Sequence, residues 1–521
     1  MTTPSVTSLL PNQIGASLPA PSLLDLSDDE QRLVTALSTK LAMQSVLMLE
    51  RIAYYDGTQR MTNLGISVPQ QLASVRTVVD WPRVTIDPLI PRATVDGFRM
   101  PGATDVDTEF QEFWQVNDLD AESPLTFLDS LICGRGYMIV GSADRPGDPP
   151  IITVESPLNL AMNWDPRTRR PTAAYQSYQV EGVYRAVLYL PNVTITMSHD
   201  LGTGWVLEDR DEHNFGDVPV RRFANRARTS DREGRSEITP AIMATTDSAM
   251  RTLLGMEIAR EFYSIPHRYI LGASESDYVN ADGSPKTALQ MSMNKFLALE
   301  RDEDGQVPQV GQFTAYDPSV FTKIIDEHAQ LMASYTGYPP SYFGQTSTAN
   351  PASADAIRVA ENGLVRRAQQ CQRQWSGPLE DIMRLAWRFA NDGVEVPPEM
   401  MRMETDWEPA ETPTPAGTAD AMFKQVSMGS IPASSDVTLK RLGYSAVERA
   451  RLAQDLAADP GASLLAELYH SLGAKEARVD NTVARDINPN AAKAAPVVSP
   501  SGAVVAAPVK PNVSPGSAAG A

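Results

Sequence analysis

Residues 353–389 read SADAIRVAENGLVRRAQQCQRQWSGPLEDIMRLAWRF, and the fold is read outward from this run. Ile357, Leu364, Ala368, Cys371, Trp375, Leu379, Ile382, Ala386 and Phe389 recur at the spacing of one helix face. They predict a single helix of roughly 37 residues. Pro378 interrupts it, and a proline inside a helix loses a hydrogen bond and clashes with the previous turn, so a kink is expected there.

Upstream, the loop Thr336 to Ala352 carries three prolines and two glycines, and before it Pro318 opens a helix to about Tyr335. Thr239-Pro240 opens another to about Tyr263, with threonine as cap and proline in the first turn. Between these helices lies a small mixed segment, residues 264 to 316, with turns at Asp282-Gly283 and Asp304-Gly305. Residues 137 to 223 change character. Tyr137 to Val140, Ile151 to Val154, Ala174 to Val180, Val183 to Leu190, Val193 to Met197 and Trp205 to Glu208 read as strands of one β-rich region. Their short connections favour an antiparallel meander. Ser27-Asp-Asp-Glu30 has capping-box spacing ahead of Leu33, Leu37, Leu41, Met48 and Ile52, a helix ending near Gly57. Residues 392 to 417 read as a connection, followed by short helices around Ala419 to Met428 and Ala446 to Tyr469. Residues 1 to 26 form a polar arm. The low-complexity tail beyond 475 is expected to be disordered. Strand runs beside separate helical runs make the class α+β.

Composition narrows the function. The chain has 521 residues, 42% of them apolar, so it is a globular protein of several units. No apolar stretch approaches the roughly 18 residues of a membrane span, and no signal peptide is evident at the N-terminus. Two cysteines, Cys133 and Cys371, make no disulfide framework and read as packing residues of a reducing cytoplasm. With 45 basic and 64 acidic residues the net charge is −19, unsuited to gripping DNA across the whole surface. An acidic protein can still guide or enclose DNA.

Catalytic signatures are missing from the sequence. There is no phosphate-binding Gly-rich loop ending in Lys-Ser/Thr and no Gly-x-Ser-x-Gly elbow. His199, His213, His267, His328 and His470 are scattered, without metal spacing. Glu300, Asp302, Asp304 and Gly305 imitate half a calcium loop, but position twelve would be Gly311, so an acidic turn is the better reading. Asn192-Val-Thr194 reads as a strand start. No catalytic, cofactor-binding or metal residue is assigned and no cofactor is expected. An enzyme would need an unrecognised carboxylate site, for which pairs such as Asp326-Glu327 exist in any acidic chain. One cluster runs against the overall charge: Arg221, Arg222, Arg226, Arg228, Arg232 and Arg235, diluted by Asp231 and Glu233. It reads either as internal ion pairing or as a contact with nucleic acid or an acidic neighbouring subunit.

Several stretches, taken in order, resemble a known family. They are Tyr54-Tyr-Asp-Gly57 with Leu64-Gly-Ile and Pro69; Asp80-Trp-Pro-Arg83, Arg92 and Gly97-Phe98; and Gly234-Arg-Ser-Glu-Ile238 ahead of Ala259-Arg-Glu-Phe-Tyr-Ser-Ile-Pro266. Further along come Gly337-Tyr-Pro-Pro-Ser-Tyr-Phe-Gly344, Ser353-Ala-Asp-Ala-Ile357 with Glu361, Thr405-Asp-Trp407 with Pro409, and Thr418-Ala-Asp-Ala421. The set is similar to the portal proteins of long-tailed phages, particularly those infecting actinobacteria, from about residue 27 to 475.

The resemblance implies a non-enzymatic ring, typically of about twelve subunits, at one capsid vertex of the virion, assembled in the host cytoplasm without a membrane. Double-stranded DNA would enter and leave through its channel without sequence specificity. The implied partners are the major capsid protein, a scaffold, the terminase large subunit and then the head-tail adaptor. Another phage head or adaptor protein is the alternative. Carried onto this chain, the resemblance makes 27–238 and the long kinked helix 353–391 a β-rich and helical wing. Residues 239–263 and 317–335 become a two-helix stem, 264–316 a small α/β clip, 336–352 a tunnel loop and 418–475 a helical crown after the linker 392–417. Gln345, Thr346, Ser347, Thr348 and Asn350 would then offer neutral polar contacts to passing phosphates, and an acidic bore would discourage sticking.

Overall fold

The computed structural model describes residues 25–59, 77–103, 106–143, 145, 147–200, 204–263, 268–271, 284, 309–312, 317–345, 354–411, 415–444 and 446–458. The arm, the calcium-like turn at 300–305 and the C-terminal tail lie outside them. The chain divides into two compact units, Met1–Glu411 and Thr412–Ala521. Helices and antiparallel sheets are mixed throughout the first, as expected for α+β.

Helix α1 (Asp28–Tyr55) starts at a full capping box: Ser27 N–H donates to Glu30 Oε2 at 2.8 Å, and Glu30 N–H to Ser27 Oγ at 3.4 Å. This satisfies two otherwise unpaired helix-end donors. Short α2 (Trp81–Val84) and a 3₁₀ turn (Asp87–Arg92) lead into β1 (Val95–Arg99), then α3 (Thr108–Val116) and α4 (Leu119–Cys133). Strand β2 (Arg135–Gly141) pairs with β3 (Ile151–Glu155) on one side. The meander β4 (Leu160–Trp164), β5 (Pro171–Val180), β6 (Val183–Tyr189), β7 (Thr194–Asp200) and β8 (Gly204–Asp211) is a separate five-stranded sheet. Strand β9 (Val220–Ala224) then returns to the other side of β2.

The single β-rich region expected from the sequence is therefore two sheets. Strand β9 was hidden by Arg221 and Arg222, and β4, Leu-Ala-Met-Asn-Trp, has no β-branched residue to announce it. Helices α3 and α4, also not anticipated, fill the interval before β2. Alternate residues of the meander, Ala173 and Tyr175, Ala186 and Leu188, Ile195 and Met197, face one side. Val34, Leu37 and Leu41 of α1 pack on that face with almost no exposure, each burial worth about 2 kcal/mol. Further along, Met48, Tyr54 and Tyr55 of the same helix enter a second, larger core. One helix thus joins the two.

After α5 (Pro240–Tyr263), strands β10 (Arg268–Leu271) and β11 (Gln309–Gln312) pair antiparallel. Leu271 and Gln309 are thus brought side by side. Helix α6 (Ser319–Thr336) packs on α5: a β-carbon on Gly255 would lie 3.3 Å from the Phe321 ring. The long helix α7 (Ala354–Ala390) runs through the large core with Pro378 inside it. Leu364, Ala368, Cys371, Trp375, Leu379, Ile382 and Ala386 are all buried along one stripe.

Trp375 stacks on Phe127 of α4 with ring centroids 4.5 Å apart, and its indole N–H donates to Ser130 Oγ at 3.2 Å. Residues 392–417, read as a plain connection, instead contain a 3₁₀ turn (Met400–Arg402) and β12 (Glu404–Trp407), which pairs with β1. A four-residue strand with two acids gives little sequence signal, and its partner lies some 300 residues away. The second unit holds α8 (Pro415–Ser427), α9 (Asp436–Arg441), which was not anticipated, and α10 (Ala446–Ala458).

Candidate functional site

The arginine segment is tied into the first unit by both backbone hydrogen bonds and ion pairs. Arg221 and Arg222 alternate along β9, and the chain then turns back through residues 225–237 beside the end of α4. Backbone meets backbone there: Asn225 N–H donates to Gly134 O at 2.9 Å, Arg235 N–H to Asn225 O at 2.7 Å and Glu237 N–H to Leu131 O at 2.9 Å. Gly134 and Gly234 both have φ of +92°, and a β-carbon on Gly234 would fall 2.0 Å from the Gly134 carbonyl oxygen. Only glycine fits that approach.

Two carboxylates organise the arginines. Glu233 receives Lys40 from α1 at 2.7 Å, Arg135 from β2 at 2.5 Å and Arg222 from β9 at 3.3 Å. Burial alone would raise its carboxyl, but these cations outweigh burial and hold its pKa below the ordinary value. The Arg222 guanidinium also lies 3.3 Å from the centre of the Trp164 ring. Glu237 pairs with Arg226 at 2.8 Å and with buried Arg367 of α7. Arg367 in turn donates to Asn225 Oδ1 at 2.5 Å. Arg221 pairs with Asp217 at 2.5 Å, and Arg235 with Asp231 at 3.1 Å.

Four of the six arginines are thus engaged within the chain. Arg228 and Arg232 make no ion pair among the described residues. Arg228, beside exposed Leu47 of α1, lines an open cleft of about 800 Å³ between α1 and the arginine segment, and Arg232 lines a neighbouring one of about 630 Å³.

The second candidate region follows α6. Gly337 ends that helix with φ +73°, its N–H donating to Ala333 O at 2.9 Å. A 3₁₀ turn, Pro340–Phe343, then docks into the core: Tyr338 and Phe343 are buried, and Phe343 meets Trp81 edge-on at 6.4 Å. Tyr338 donates to Thr85 O at 2.9 Å, and Tyr342 to Glu361 Oε1 at 3.0 Å. Gln345 turns back to α6, its Nε2 donating to Asp326 O at 3.1 Å. Thr346, Ser347, Thr348 and Asn350 lie outside the described residues.

Three of the quoted motifs, at Tyr54-Tyr55, Arg92 and Phe98, form joints between elements; Leu64-Gly-Ile, Pro69 and Ser264 to Pro266 lie outside the described residues. Tyr54 donates to Asp247 at 2.9 Å, Tyr55 to Asp87 at 2.7 Å and Arg92 to Ala410 O at 2.8 Å. Phe98 faces Thr405 across the β1–β12 pair.

Among the described residues no group of three or more His, Cys, Asp or Glu is placed to hold a metal ion, and no helix is long and apolar enough to cross a membrane. Cys133 and Cys371 are buried and unpaired; burial pushes the Cys371 thiol up to about 11, far from a reactive thiolate. Sequence reading missed Lys40, Arg135 and Arg367, which come from remote segments and are drawn in by Glu233 and Glu237. It also passed over Arg167-Thr-Arg-Arg170, a basic run visible in the sequence.

Comparison with known proteins identifies the family. The family model for phage portal proteins of the SPP1 Gp6-like type matches residues 43–442. The portal protein of Mycobacterium phage D29 is 37% identical over 406 residues, covering 76% of this chain and 82% of the relative. That of Mycobacterium phage L5 is 35% identical over 413 residues, with the same coverage. Among solved structures, a chain of the virion of a native gene transfer agent particle aligns with a TM-score of 0.38 and 16% identity, over 76% of this chain and 99% of that one. A likeness this remote carries no argument. The family match and the two relatives do, and this chain belongs to the SPP1 Gp6-like family of phage portal proteins.

Proposed function

We propose that this portal protein closes into a ring at one vertex of the capsid, and that double-stranded DNA is packaged and later ejected through its centre. In this reading the chain is a conduit with no chemistry of its own. A separate terminase supplies the energy, docks on the ring during packaging and is then replaced by the head-tail adaptor. The capsid protein and scaffold surround the ring during assembly in the host cytoplasm.

The observation that carries the reading is the match to portal proteins across most of the chain. The geometry is compatible with it. Helices α5 and α6 pack on each other and bracket a segment whose ends are tied by β10 and β11, as a two-helix stem (239–263, 317–335) carrying a clip (264–316) requires. Residues 336–352 form the tunnel loop, rooted by Tyr338 and Phe343. The wing comprises 27–238 and 353–391, and the crown 418–475. Arg228 and Arg232 are the members of the arginine cluster left to meet DNA or an acidic neighbouring subunit.

Negative-stain microscopy with mass photometry tests this. Rings with a central hole and a mass near twelve times 56.7 kDa, about 680 kDa, are expected. A chain that stays monomeric even when co-expressed with the phage head proteins would overturn it.

A further inference from the structure

A second basic site lies apart from the arginine segment's carboxylate hubs. The turn between β4 and β5 is tied by Asp165: its carboxylate accepts from Arg167 N–H at 2.8 Å and from Thr168 Oγ1 at 2.8 Å, and its carbonyl accepts from Arg169 N–H at 2.8 Å. Arg169 takes a left-handed conformation, φ +61°, and Arg169 and Arg170 are exposed, with no side-chain ion pair among the described residues. They close one side of a cleft of about 190 Å³ whose other walls are Arg221 of β9 and Arg384 and Arg388 of α7.

Only two carboxylates line the same cleft. Asp381 accepts from Arg384 at 2.6 Å and stands 3.5 Å from Arg221 Nε; Asp217 is occupied by Arg221. Arg221 is 8% exposed, yet its Nε has no hydrogen-bond partner, and neither does the buried Nε of Arg388. Five guanidiniums against two carboxylates give the cleft lining a net charge of +3, in a chain whose net charge is −19; Arg384 and Arg388 also donate to the Met400 and Phe215 carbonyls, at 3.2 and 2.7 Å, which supply no countercharge. Such an excess is stable when an anion sits among the charges. The cleft has room for one oxyanion.

We propose that this cleft is a phosphate-binding site that seats one phosphate group between Arg169 and Arg170 on one side and Arg384 and Arg388 on the other. The group arrives either on a DNA backbone or as free phosphate. The guanidinium fork matches the phosphate oxygens, and a tetrahedral group can be bonded from several walls at once, which a planar carboxylate cannot.

The test uses the full chain, the double variant Arg169→Ala/Arg170→Ala and the control Arg167→Ala, which removes one positive charge from the same turn but outside the cleft. Thermal unfolding is followed in inorganic phosphate and in chloride and glutamate of matched ionic strength. Labelled duplex DNA is titrated by fluorescence anisotropy. A phosphate-dependent rise in Tm that the double variant loses and Arg167→Ala keeps supports the site, with free phosphate as its occupant. Duplex binding weakened about tenfold or more by the double variant alone supports it with a DNA phosphate as occupant. The proposal is overturned if glutamate stabilises as well as phosphate, if Arg167→Ala loses as much as the double variant, or if neither probe distinguishes the double variant from the unaltered chain.

Discussion

Gly363, in the third turn of α7, packs directly on Gly337, the residue that ends α6: a β-carbon at 363 would stand 2.2 Å from the Gly337 carbonyl oxygen. The contact fixes how the chain leaves one helix and enters the other, and so fixes both roots of the loop between them. Gly363→Ala forces that backbone apart. A loss of about 1–3 kcal/mol is expected from overpacking, read as a lowered urea midpoint with an unchanged slope. An unchanged midpoint would mean that the two helices are not held this closely.

Glu233 collects three cations from three elements. Glu233→Gln leaves Lys40, Arg135 and Arg222 without their carboxylate, and a loss of about 3–5 kcal/mol is expected for breaking a buried pair from one side. The pH dependence has a definite sign. A carboxyl held below its ordinary 4.5 contributes stability that is present above 4.5 and lost as pH falls through the lower folded value. The variant should therefore lose less stability than the unaltered chain between neutral pH and acid. Denaturation curves at several pH values check this.

Asp129 on α4 titrates in the opposite sense. Burial pushes its carboxyl up to about 7, against the hydrogen bond from Ser156. A raised carboxyl binds protons more tightly in the folded state, so its contribution is full below 3.8 and is lost as pH rises to about 7. Asp129→Asn should remove that slope and stabilise the chain above pH 7 relative to the unaltered one, on the order of 4 kcal/mol. Parallel stability profiles of the two proteins would expose a wrong sign at once.

Trp375 joins α7 to α4 through its stack on Phe127 and its bond to Ser130, whose hydroxyl donates in turn to Phe223 O at 2.8 Å. Trp375→Ala should cost about 3–5 kcal/mol, whereas Trp375→Phe keeps the stack and should cost less. Equal losses would place the energy in the indole hydrogen bond instead.

If residues 336–352 are the proposed tunnel loop, Asn350→Lys should slow DNA packaging, because a cation there would hold passing phosphates that a neutral amide releases. Gln345→Lys is a weaker test, since Gln345 is already bonded to Asp326 O. Packaging rates in vitro with unaltered and variant rings give the answer; equal rates would count against a loop that faces the bore.

Much of the helical frame was legible. The capping box at Ser27 and the stripe from Leu364 to Ala386 announce α1 and α7 because helix periodicity is local and repeats many times. The β5–β8 hairpins were legible for the same reason, with short turns between alternating residues. Strands β4, β9 and β12 were not: each has four or five residues with weak propensity, and each is held by its neighbours.

The sequence by itself determined that the chain is an acidic α+β protein built on two long amphipathic helices, and its ordered motifs carried the resemblance to its family. What the arginine cluster does was decided only by tertiary structure. Glu233 lies within the cluster and Glu237 two residues past its end, but the side chains that complete their hubs are Lys40, Arg135 and Arg367. No spacing rule connects positions 40, 135 and 367. They meet because apolar burial brings α1, β2 and α7 onto the same turn, and a charge taken out of water must then find a partner wherever the packing has put one.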